Sequence, residues 1–85
     1  MSELRVVSDG LQASIIIDAK ELKSPMALFQ AKKQITKFSS GQILQVDGTD
    51  PHSRKDFNKW CERSGNIYLG EKDMHKYISF YIKKG

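Results

Sequence analysis

At 85 residues the chain has room for one small core and excludes separate catalytic and regulatory domains. Hydrophobic residues make up 39% and charged residues 28%, the balance of an ordinary globular domain rather than of a disordered chain. The net charge of +4 permits attraction to RNA or to an acidic protein surface, but Lys and Arg occur only singly or in pairs, so solvated helix faces explain it more simply.

The longest apolar run, Ile15-Ile16-Ile17, is far too short to span a membrane. The first residues, Met1 to Arg5, lack the basic stretch and apolar segment of a signal peptide. Cys61 is the one cysteine, so no internal disulfide can form and nothing requires an oxidising compartment. These features lead to the expectation of a cytosolic protein without contact to membranes.

In chain order, residues 1–10 read as an N-terminal extension in which Leu4 to Val7 could add a short strand through Asp9-Gly10. A single domain covers 11–85. Ser14 to Asp18 is isoleucine-rich, as a strand buried on both faces would be. Ser24-Pro25 supplies an N-cap and a first helical proline. Leu28, Ala31, Ile35 and Phe38 then recur at helical spacing until Ser39-Ser40-Gly41 stops the helix. Gln42 to Asp47 alternates as a strand, with Leu44 and Val46 on its apolar face. Asp50-Pro51 repeats the cap-and-proline pair ahead of Phe57, Trp60, Cys61 and Ser64, and Gly65 closes that helix. Ile67 to Gly70 and Tyr77 to Ile82 form a hairpin around Glu71-Lys72-Asp73, with Ile78, Phe80 and Ile82 sharing one face.

The order β-α-β-α-β-β predicts an α+β fold, a two-layer α/β sandwich with a four-stranded mixed sheet and two helices on one face. If the first two strands are parallel, both helix N-termini open on one edge of the sheet. That edge gathers free backbone N–H groups and positive dipole ends, suited to an anion or a polarised sulfur.

These elements and their turn residues resemble the TusA/SirA-like family of sulfur carriers from about Ile17 to Lys83. The family opens with Leu-Asp-x-x-Gly-Leu-x-Cys-Pro-x-Pro, and here the stretch runs from Ile17-Asp18 through Leu22-Lys23-Ser24-Pro25 to Ala27. Lys32, Gly41, Asp50-Pro51, Asp56 and the helix end from Trp60-Cys61 to Gly65 also match. The resemblance implies that Ser24 stands at the position of the family's sulfur-carrying cysteine, with Glu21 at its glycine and Ala27 at its second proline. A cysteine at a helix N-terminus is activated as the thiolate, accepts a sulfane sulfur as a persulfide and passes it on. A serine hydroxyl cannot form a persulfide.

The residues leave several roles open. Ser24 reads first as an N-cap. A nucleophilic role would need His52 as base with Asp50 beside it, and no oxyanion motif or strained elbow accompanies them. Cys61 reads as a buried apolar residue and, less well, as an alternative thiol, since mid-helix it lacks an activating dipole. The binding edge comprises Lys20, Glu21, Lys23, Ser24 and Pro25 from the first turn, and Asp50, His52, Arg54 and Lys55 from the second. Its cations suit an acidic protein partner, a phosphate or an RNA backbone, though the edge has little aromatic interleaving. No metal-ligand spacing or glycine-rich phosphate loop is present, and no cofactor is expected.

Three functions are therefore in play. The first is a non-catalytic binding or regulatory module related to sulfur transfer. The second is a sulfur-relay component, carrying sulfur on Cys61 or docking a partner's cysteine. The third is an RNA-associated basic module.

Overall fold

The computed structural model describes residues 13–85. The proposed strand at Leu4 to Val7 lies outside them. The elements are β1 (Ile15–Ala19), α1 (Met26–Ile35), β2 (Ile43–Gly48), α2 (Ser53–Ser64), β3 (Ile67–Asp73) and β4 (Ile78–Lys83). They build one four-stranded sheet in the order β1-β2-β4-β3. β1 runs parallel to β2, while β4 is antiparallel to both β2 and β3.

Alternation along each strand decides which residues meet the helices. Leu44 and Val46 of β2 and Phe80 and Ile82 of β4 are fully buried. They pack against Ala27, Ala31 and Ile35 of α1 and Phe57 and Cys61 of α2, so one core lies between the sheet and both helices. The Phe57 and Phe80 rings sit 5.1 Å apart at 52°, a tilted contact that joins α2 to the central strands. The two-layer sandwich expected from the element order is thus the fold.

Four local expectations are corrected. β1 is an edge strand, with Ile16 59% and Ile15 39% exposed. Among the described residues no helix covers its outer face, and of its side chains Ile17 and Ala19 reach the core. α1 ends at Ile35 rather than at Phe38, because Lys37 and Phe38 turn back with N–H bonds to Gln34 and Ile35. Phe38 still packs into the core, so its apolar signal reported burial and not helix.

Glu71, Lys72 and Asp73 belong to β3 and are not a turn. The reversal lies at Met74 to Lys76, where the Asp73 carboxylate accepts the His75 N–H at 2.9 Å and His75 takes φ 78°. Finally, α2 starts at Ser53, because the Asp50-Pro51-His52 stretch forms a preceding turn. Gly65 does close α2 in the left-handed conformation (φ 81°) expected of it.

A bulge between Tyr68 and Gly70 brings the Tyr68 hydroxyl to Glu71 at 2.7 Å. Glu71 in turn accepts the Arg54 Nε–H at 2.8 Å, so a polar bridge ties the first turn of α2 to β3. On the sheet face away from the helices, Ser79 donates to Asp47 at 2.6 Å and Gln45 donates to the same carboxylate at 2.9 Å.

Phe80→Ala should lower unfolding free energy by about 3–5 kcal/mol, as expected for a large buried aromatic. Ile16→Ala, on the uncovered face, should change it by about 0.5 kcal/mol or less. Urea denaturation of the two variants checks both values.

Candidate functional site

Because β1 and β2 are parallel and end side by side at Ala19 and Gly48, the chain leaves both strands on the same sheet edge. The β1–α1 turn and the β2–α2 turn therefore meet there. Thr49 fixes them together by donating its hydroxyl to the Lys20 carbonyl at 2.9 Å.

Ser24 lies at the centre of that meeting. Its backbone N–H donates to Asp50 Oδ2 at 3.0 Å. Its hydroxyl donates to Asp56 Oδ2 in the first turn of α2. The Ser24–Pro25 peptide bond is cis, and α1 opens with Pro25 at its N-cap and no side-chain cap. The expectation that Ser24 caps its own helix is corrected: its Oγ proton is given to α2, and the Pro25 carbonyl begins the helical ladder by accepting the Phe29 N–H.

Asp50 serves both turns. Besides the Ser24 N–H, it accepts the His52 N–H and faces His52 Nδ1, both at 2.9 Å. The Ser24 N–H, followed by the His52 N–H and ring, holds the Asp50 carboxyl below its ordinary value. The edge was expected to offer free N–H groups to an incoming anion. At Ser24 and His52 the chain's own carboxylate occupies them instead, and Asp56 adds a second negative charge to the same cluster.

This geometry also removes the dyad reading. The Ser24 hydroxyl goes to Asp56 and the His52 ring to Asp50, so His52 does not hold the hydroxyl as that reading requires.

The remaining edge residues divide. Lys23 and Pro25 are exposed beside Ser24, and Lys55 and His52 are exposed at the start of α2. Glu21 is exposed and, with Lys20, lines a shallow depression at the end of β1. Lys20 lies 3.5 Å from Asp18 and 4.7 Å from the centre of the Tyr77 ring, turned towards the sheet. Arg54 is committed to Glu71 on β3. Two of the four expected cations are thus engaged within the fold.

Cys61 is buried among the core side chains at 4% exposure, and burial pushes its thiol from 9.0 up to about 11. The thiol is neutral at ordinary pH and screened from reagents. Sequence reasoning matched Asp56 to the family yet left it out of the edge. Its signal was its position in the first turn of α2, where a carboxylate is favoured by the dipole and faces the neighbouring turn.

The sequence family described as "Sulfurtransferase TusA" matches residues 15–84, and the chain belongs to it. The sulfur carrier protein TusA of Allochromatium vinosum is 40% identical over 68 residues, covering 80% of this chain and 90% of that protein. YrkI of Bacillus subtilis is 33% identical over 88% of this chain and 100% of its own length. YrkF of the same organism is 31% identical, and there the matched region spans 40% of the relative. The crystal structure of a SirA-like protein from Desulfitobacterium hafniense superposes with a TM-score of 0.68 at 31% identity, covering 84% of this chain and 97% of that one.

In the folded protein at neutral pH, Cys61 should resist a soluble thiol reagent and become reactive once urea unfolds the chain. Stoichiometric labelling of the native protein within minutes would contradict its burial. A colorimetric disulfide reagent makes the comparison.

Proposed function

We propose that the chain is a cytosolic sulfur-relay component that docks a protein partner through the edge around Ser24, while the transferable sulfur stays on the partner's cysteine. The observation that carries this reading is the Ser24 cluster: the position assigned to the family's persulfide cysteine holds a hydroxyl whose proton is donated to Asp56.

Chemistry at that position is closed to sulfur. Persulfide formation requires a thiolate that attacks the terminal sulfur of a donor persulfide, forming a new S–S bond while the donor leaves as its own thiolate. A hydroxyl supplies no sulfur and remains protonated. The remaining thiol, Cys61, is buried and held neutral by its high pKa, which weighs against the version of the relay reading in which it carries sulfur.

What supports docking is the geometry of this edge. Two turns are locked together at one sheet edge, with exposed Lys23 and Lys55 beside Ser24. The relatives named as sulfur carriers favour a relay role over a free-standing regulatory module, the first reading of the sequence. No helix among the described residues is long and apolar enough to cross a membrane.

Mixing the protein with a persulfide-charged sulfurtransferase and weighing the intact chain tests the proposal. The wild-type mass should be unchanged, and Ser24→Cys should gain one sulfur atom. A gain by the wild-type chain that disappears in Cys61→Ala would overturn it.

A further inference from the structure

A second surface lies outside the Ser24 edge. Both helices follow strands of a parallel pair, so they run side by side in the same direction across one face of the sheet. Between them is an open groove of about 260 Å³, lined by Leu28 and Lys32 of α1 and by Asp56, Lys59, Trp60 and Arg63 of α2.

Its chemistry is divided along its length. Asp56, which holds the Ser24 hydroxyl, marks one end, and Arg63 marks the other. The helical rise sets these residues about 10 Å apart along α2. The half-buried Leu28 and Trp60 give the groove an apolar floor, and Trp60 is steadied by the Phe57 ring 6.5 Å away. The exposed cations Lys32, Lys59 and Arg63 stand over that floor, and none of them makes an ion pair among the described residues.

Each property narrows the occupant. Unpaired exposed cations on flexible stems hold a lone small anion poorly in water. The apolar floor leaves an anion nothing to bury and calls for an apolar side chain. A nucleotide strand would want successive aromatic platforms, and Trp60 is the chain's one tryptophan and the one aromatic residue lining the groove. A peptide segment satisfies both demands, since one apolar side chain can fill the floor while flanking carboxylates meet Lys32, Lys59 and Arg63. About 10 Å accommodates roughly three extended residues.

We infer that the α1–α2 groove binds an acidic segment of a partner protein, centred on one large apolar side chain whose flanking carboxylates meet Lys32, Lys59 and Arg63. The groove would add a contact to relay docking, but the inference does not depend on sulfur chemistry.

Trp60 emission reports occupancy directly. The probe is a short acetylated peptide with the centre Glu-Leu-Glu, and the same peptide with Lys-Leu-Lys is the control. The acidic peptide should give a saturable emission change that weakens as salt is added. Lys59→Glu and Arg63→Glu, both at exposed positions, should keep the wild-type circular dichroism and weaken binding by about tenfold or more. The titration contains neither a persulfide nor a sulfurtransferase, which separates a failure here from a failure of the relay reading. No saturable change, equal binding of the Lys-Leu-Lys peptide, unaltered affinity after charge reversal, or preferential binding of a single-stranded RNA oligomer would each overturn the inference.

Discussion

One residue of the β1–α1 turn is held by two carboxylates of the second turn and helix, and the functional edge depends on that contact. Ser24 gives its backbone N–H to Asp50 and its hydroxyl proton to Asp56. Hydrogen bonds to charged acceptors are the stronger kind, and this pair crosses between two segments that are distant in sequence. It sets how the two helix starts lie against each other, and through Asp56 it also defines one end of the groove between the helices.

The same contact explains why a serine is at home at this position. A hydroxyl donates readily to a carboxylate without ionising, so the position holds a neutral donor. The chain's own thiol lies elsewhere: Cys61 serves the core beside Phe57, and burial keeps it protonated.

Much of the fold was legible because its signals were local. Alternation in β2 and β4, the helical spacing of Ala31 and Ile35, and the left-handed glycine at position 65 each report a nearby physical demand. Errors arose where a neighbour decided the outcome. Isoleucine content could not reveal that β1 sits at the sheet edge with Ile16 uncovered, because that depends on strand order. The polar run Glu71 to Asp73 looked like a turn, yet Glu71 is polar because Arg54 and Tyr68 reach it within the sheet. At the site, Ser24, Asp50 and His52 were readable as a cluster, but the direction of the hydroxyl was not. A serine beside a proline carries the same signal whether it caps its own helix or its neighbour. The pairing of Arg54 and the groove beneath Lys32 and Lys59 likewise depend on contacts made only after folding.

The most direct test is a double-mutant cycle between Ser24→Ala and Asp56→Ala, read by equilibrium urea unfolding. If the hydroxyl is held by the Asp56 carboxylate, the two losses should be coupled by about 0.5–3 kcal/mol, the range for residues in one hydrogen-bonded network. Losses that add to within about 0.3–0.5 kcal/mol would mean that the two side chains do not interact, contradicting the account of how this edge is built.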